Sequence, residues 1–265
     1  MPSAAESRLL SLEAKQAFVQ HALPTMAEYS FSFICSVIGV VDETMGRHYG
    51  SGLRCVFDGR RAILTAHHVI DQACKEPCGL AISAGWGRSP YVVRGSVNID
   101  PIADMAVYFL PDDYPCPDSA FWPAERVDRS LRRLSTDYLF LHGFPGDGSY
   151  SSRLLGGVVG RSLPYGSMQR LENLPASLAA WQFAVEYDPA GLVSEIHSAP
   201  EHVDPHGLSG SPVWRIGVSG RSPREWKAAD SLLVGVLTRW APAEKVLIAT
   251  STKKLPSRWL VQAME

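Results

Sequence analysis

Three short segments of this 265-residue chain carry residue types that can do chemistry together. Leu64-Thr65-Ala66-His67-His68-Val69 sets two histidines side by side. Ala103-Asp104-Met105-Ala106-Val107 puts a carboxylate ahead of an apolar run, and Gly207-Leu208-Ser209-Gly210-Ser211-Pro212 holds a serine in a glycine-rich turn. A serine hydroxyl is a poor nucleophile near neutral pH. It needs a base to take its proton, and an imidazole base needs an acceptor on its second nitrogen to fix the tautomer. Ser209, His68 and Asp104 fit those three roles. Backbone N–H groups at Gly207 and Ser209 can converge on one spot and hold a developing oxyanion, and Gly207 admits backbone geometry that a Cβ resists.

Each segment also has a plainer reading. A serine in such a turn, taken alone, is as readily a turn residue as a nucleophile. His67 and His68 leave an ambiguity of one position, which the spacing to Thr65-Ala66 turns toward His68. Asp100 rivals Asp104, but Asp100-Pro101 reads as a turn. His197, His202 and His206 precede the serine without ordered ligand spacing, and Cys74-x3-Cys78 is at most half a site. Neither predicts a metal, and no cofactor is expected.

The elements that must position these residues follow from periodicity. Leu9, Leu12, Phe18-Val19 and Leu23 fall near helical spacing over residues 3–23, with Pro24 expected to end the helix. Strand-like runs follow at 31–41, 50–57 and 61–65, with Asp58-Gly59 as a hairpin turn, and then at 80–84, 91–97 and 105–110. The Pro- and Asp-rich stretch 111–123 starts a linker. A second set covers 138–142, 154–159, 181–187, 212–216, 232–238 and 246–249, and the tail from 253 reads as helical. About six strands stand on each side of the linker, at the spacing of barrels rather than βαβ units.

These segments together resemble the trypsin-like (chymotrypsin-fold) serine peptidases, in a bacterial-type form. Leu64 to Val69 resembles their Thr-Ala-Ala-His-Cys block, Ala103 to Val107 their Asp-Ile-Ala-Leu block, and Gly207 to Pro212 their Gly-Asp-Ser-Gly-Gly-Pro. Gly50-Ser51-Gly52 matches the start of the strand two before the histidine, and His142-Gly143-Phe144-Pro145-Gly146 is similar to a Gly-Tyr-Pro-Gly turn. The resemblance implies an all-β fold of two six-stranded antiparallel β-barrels with N-terminal and C-terminal helices. The implied domains are a helical extension (1–29), a first barrel bearing His68 and Asp104 (30–118), a linker (119–135), a second barrel bearing Ser209 and the oxyanion hole (136–252) and a C-terminal helix (253–265). Leu208 stands where the family carries an Asp that pairs with a new N-terminus after zymogen cleavage, so activation by that route is not expected. In the same register Val203, His206, Thr238 and Arg239 line the substrate pocket. Val203 argues against an Arg/Lys preference, while Thr238 and Arg239 suit a polar or acidic residue.

Composition bounds the function. A net charge of −2 gives no field that would draw nucleic acid or an anionic membrane. Five cysteines cannot all pair within one chain. Residues 1–22 lack the apolar core of a secretory signal, and no run approaches the roughly 20 apolar residues of a membrane span. The expectation is a cytoplasmic protein with free thiols. It would be a serine endopeptidase acting on a protein or peptide through an acyl-enzyme. A regulatory protein partner that gates the cleft is a further expectation, and a catalytically silent binding or scaffold module is the rival reading.

Overall fold

The computed structural model describes residues 12–83, 90–129, 138–146, 149–152, 157–160, 162–187, 204–216, 225–255 and 262–263. Helix α1 (Leu12–Phe31) is followed by β1 (Ile34–Val40), β2 (Gly46–Phe57), β3 (Arg60–Thr65), helix α2 (His67–Ala73), β4 (Leu80–Ser83), β5 (Tyr91–Val92), β6 (Ser96–Asp100) and β7 (Met105–Phe109). The second half holds β8 (Tyr138–Gly143), β9 (Ser149–Ser152), β10 (Gly157–Gly160), β11 (Leu163–Arg170), β12 (Gln182–Glu186), β13 (Pro212–Arg215), β14 (Leu232–Ala241), β15 (Val246–Ser251) and β16 (Gln262–Ala263).

Pairing is antiparallel in both sheets. The second sheet closes into a six-stranded barrel in the order β11-β12-β15-β14-β13-β8. The first is a half-barrel of eight strands in the order β16-β6-β7-β3-β2-β1-β4-β5, and among the described residues β9 and β10 pair only with each other. The all-β, two-sheet architecture expected from the sequence is present, although the first sheet is not closed among the described residues. Most of the tail expected to be helical, residues 256–261 and 264–265, lies outside the described residues. Its described residues form a short 3-10 turn at Thr252–Lys254 and the strand β16, which adds to the β6 edge of the first sheet.

Side chains alternate across each strand, and the alternation defines the layers. In β7, Ala106 and Tyr108 face the core inside the first sheet, while Met105, Val107 and Phe109 face a second core between the sheets. In β8, Leu139 and Leu141 face the barrel interior while Phe140 joins the shared core. That shared layer contains Trp122 and Trp214, with ring centroids 5.6 Å apart, and also Ala22 and Met26 of α1. The linker is zipped onto β2: Trp122 N–H donates to Arg54 O at 2.8 Å, and Val56 N–H to Trp122 O at 2.9 Å.

Two local features follow from residue type. Asp58 (φ 48°) and Gly59 (φ 74°) form the two-residue turn between β2 and β3, with positive φ at both positions as a type I′ hairpin requires. Helix α1, by contrast, does not stop at Pro24 but runs seven residues further. Proline removes one intrahelical hydrogen bond. Ala22, Met26 and Ser30, spaced by four, are all fully buried, and burial of that face outweighs the local cost. The five cysteines are all free. No described helix is long and apolar enough to cross a membrane.

Candidate active site

The first half of the site comes from two short connections of the first sheet. Helix α2 begins at His67, immediately after β3, so His68 lies in its first turn. The β6–β7 turn is held by Asp100, whose Oδ1 accepts from Ile102 N–H at 3.1 Å and Ala103 N–H at 2.9 Å. That turn leaves Asp104 at φ 52°, a left-handed conformation that aspartate tolerates better than most residues. Its carboxylate takes two bonds from one residue. His68 N–H donates to Oδ1 at 3.0 Å, and His68 Nδ1 lies 2.8 Å from Oδ2. With the Nδ1 proton held by the carboxylate, Nε2 is the basic nitrogen. Thr250 of β15 donates to Ala103 O at 2.8 Å, tying the Asp104 turn to the second barrel.

The serine segment is two consecutive β-turns. Leu208 N–H donates to Pro205 O at 3.0 Å and Ser211 N–H to Leu208 O at 2.9 Å. The third residues of these turns, Gly207 (φ 86°) and Gly210 (φ 85°), adopt the positive φ that a type II turn demands. Ser209, half-buried, sits between them. Its carbonyl accepts from Ser51 N–H at 2.7 Å, and Gly210 N–H donates to Leu237 O at 2.7 Å. Gly50 is where the halves meet: a Cβ there would lie 2.6 Å from Ser209 O and 2.6 Å from Val69 Cγ2, next to His68. Among the described residues the Ser209 hydroxyl forms no hydrogen bond with the His68 ring. Catalytic contacts are commonly long without substrate and tighten in the complex.

Both peptide planes flanking Gly207 are held. His206 O accepts from Gly146 N–H at 2.6 Å. In a trans peptide the C=O and N–H point in opposite directions, so the Gly207 N–H faces away from Gly146. Gly207 O accepts from Ser51 Oγ at 3.0 Å and lies against the His48 ring. Among the described residues neither the Gly207 nor the Ser209 N–H has a hydrogen-bond partner, leaving two donors beside the serine for a ligand oxygen. Phe144 N–H donates to Ser51 Oγ at 2.8 Å, His48 Nε2 lies 2.9 Å from Phe144 O, and Ser36 Oγ lies 2.7 Å from His48 Nδ1. Burial holds the His48 pKa below the ordinary histidine value, so the neutral ring donates from Nε2 and accepts from Ser36. Sequence reasoning passed over Ser36 and His48. Ser51 was legible only as part of Gly50-Ser51-Gly52.

Leu208 is 1% exposed, packed in the second barrel's core with Tyr187, Leu237 and Leu247. An apolar side chain at this buried position has no charge to pair with an ammonium group. Of the expected pocket residues, Val203 lies outside the described residues. His206 is exposed, with its backbone and ring both held by the Asp204 carboxylate. Thr238 is buried and its hydroxyl donates to Ile248 O at 3.3 Å, which turns it into the sheet rather than toward a ligand. Arg239 is exposed, with one bond to Ser177 Oγ at 3.2 Å. The pairing of β13 with β14 ends at Pro212 opposite Val236, so Thr238–Trp240 present an edge that no described strand covers. His197 and His202 lie outside the described residues, and no group of three or more metal-ligating side chains exists among the described ones.

A His–Asp pair at the ends of the adjacent strands β3 and β7 stands in one sheet, and a serine turn comes from a closed six-stranded barrel; solved structures share this fold. The chain is similar to the Rv3671c protease of M. tuberculosis in its active form, at 14% identity and a TM-score of 0.53, covering 89% of this chain and 83% of that one. It is similar also to two inactivated protease paralogues of the scabies mite, S-D1 and S-I1. Each is 12% identical with a TM-score of 0.52; 86% of this chain is covered in both, against 90% and 92% of theirs. No protein-family model and no curated protein sequence matches the chain. At these identities the likeness shows the fold: this is a chymotrypsin-fold protein with protease-type neighbours, some of them inactive.

Proposed function

We propose that the protein is a serine endopeptidase. Ser209 attacks the scissile carbonyl while His68 Nε2 takes its proton, Asp104 holds the imidazole tautomer and stabilises the imidazolium, and the proton passes to the leaving amine. An acyl-enzyme on Ser209 follows, and water hydrolyses it. The Gly207 and Ser209 N–H groups hold the oxyanion, and the peptide lies along the uncovered edge at Thr238–Trp240. Arg239 belongs to that edge and is exposed, as is His206 in the serine turn. No metal or cofactor takes part in these steps. The reading includes a cytoplasmic setting, consistent with five free thiols, and control by a protein partner.

The observation that carries the proposal is the bracing of Gly207 on both sides while its own N–H is left uncommitted. A pair of uncommitted N–H donors beside a serine is what an oxyanion needs and what a scaffold module does not. The rival reading, a silent binding module, draws on the inactivated scabies mite paralogues and on the missing Ser209–His68 bond. A fluorophosphonate probe separates the two. The purified chain is expected to be labelled at Ser209, with labelling and peptide cleavage both lost in Ser209→Ala. Loss in Ser211→Ala but not in Ser209→Ala would refute the assignment. Labelling only after a partner is added would establish gating.

A further inference from the structure

Strand β8 presents His142 on the face that carries Phe140, toward α1. His142 is 2% exposed, and its Nδ1 lies 2.7 Å from Ser30 Oγ in the last turn of α1, itself fully buried. Its Nε2 is buried without a partner. The surroundings are apolar: the Phe31 and Phe140 rings lie 6.1 and 5.9 Å away. A hydrophobic side chain would fill this place without the desolvation penalty that a buried imidazole carries. The polar pair therefore does something that packing alone does not require, which is to set where α1 docks along β8. The rest of the helix is seated closely. A Cβ on Gly166, the β11 residue opposite Phe140, would lie 2.3 Å from Leu23 Cδ2, and Arg126 donates to Tyr29 Oη at 2.7 Å.

Two residues past His142 the chain reaches the groups that hold the serine turn. Phe144 bonds Ser51 Oγ and the His48 ring, and Gly146 N–H bonds His206 O. We propose that Ser30 and His142 are positioning residues for the oxyanion turn: α1 holds the end of β8, and the end of β8 holds the His206–Gly207 peptide with its N–H toward the substrate. This rests on the peptidase reading above. It places the control that Leu208 cannot supply, having no charge to pair, in the N-terminal helix.

The test uses the full chain. Ser30→Ala, His142→Asn and Val97→Ala, a core truncation in β6 away from α1, are compared with wild type. The readouts are the rate of fluorophosphonate labelling at saturating probe and the hydrogen exchange of Gly146. Ser30→Ala is expected to label about tenfold more slowly, with the probe concentration for half-saturation unchanged, a fraction of the roughly hundredfold cost of losing an oxyanion donor outright. Its Gly146 amide exchanges faster. His142→Asn, whose amide can reach the place of Nδ1, stays within about threefold of wild type. Val97→Ala labels at the wild-type rate despite a lower melting temperature. Wild-type labelling and exchange in Ser30→Ala would overturn the proposal. A wild type that stays unlabelled both alone and with a partner added would refute the peptidase reading instead; faster Gly146 exchange in Ser30→Ala would then still support the brace, and unchanged exchange would overturn it.

Discussion

Gly207→Ala isolates the serine turn's geometry from its chemistry. A Cβ at Gly207 would lie 2.6 Å from Gly146 N and 2.8 Å from His48 Nε2, both well inside ordinary contact, and φ is 86°. The left-handed backbone costs an alanine about 1–2 kcal/mol. Relieving the overlap by moving the turn adds about 1–3 kcal/mol. Gly59 is the matched control: its φ is 74°, but nothing lies within 4 Å of its Cβ position. Gly59→Ala therefore carries the backbone term alone, and the difference between the two variants in urea-melt stability measures the overlap. The displaced Gly207 N–H no longer meets the oxyanion, so kcat is expected to fall about 10²–10³-fold in Gly207→Ala with KM nearly unchanged. Gly59→Ala should keep full activity. Burst kinetics on an ester substrate separate acylation from turnover. Wild-type kcat in Gly207→Ala, or equal stability loss in both variants, would refute the reasoning.

Asp104→Asn should keep its place in the turn but present the wrong partner to His68 Nδ1, lowering kcat about 10⁴-fold with little change in the melting curve. Burial drives the His142 pKa down to about 3, against 6.5 in the unfolded chain. Above pH 6.5 neither state is protonated; below it the unfolded state takes a proton the folded state refuses, so stability falls between pH 6.5 and 3 by up to about 5 kcal/mol. Urea melts across that window should show the slope in wild type and a shallower one in His142→Leu, and equal slopes would contradict it. Exposed Pro24 interrupts the hydrogen bonding of α1, so Pro24→Ala should raise stability by about 1–2 kcal/mol in thermal melts, less than the full cost of an interior proline because the helix already accommodates it.

The sequence carried the local chemistry of this protein. The strand periods of β2, β3, β7 and β8, the Asp58-Gly59 turn and the Asp100-Pro101 turn are set by residues adjacent in the chain, and neighbouring side chains suffice to read them. The His68, Asp104 and Ser209 segments were legible for the same reason: residues adjacent in the chain mark each of them, apolar strand residues and Thr65-Ala66 beside His68, Asp100-Pro101 and an apolar run around Asp104, and two glycines around Ser209. Pro24 was misread because a local rule governs proline, whereas burial of Ala22, Met26 and Ser30 against two sheets governs α1. The strand pairing of Gln262 and Ala263 could not be read locally, because β16 exists only where the β6 edge receives it.

Only the tertiary structure decided which groups hold the serine turn open. Ser51 Oγ meets a carbonyl 156 residues away, His48 one 96 residues away, and Ser30 a ring 112 residues away. Periodicity and turn chemistry describe each strand alone, but such contacts depend on how two sheets and a helix settle against one another. The sequence therefore determined what chemistry the chain can attempt, and packing across the shared core determined whether the atoms that must cooperate are brought together.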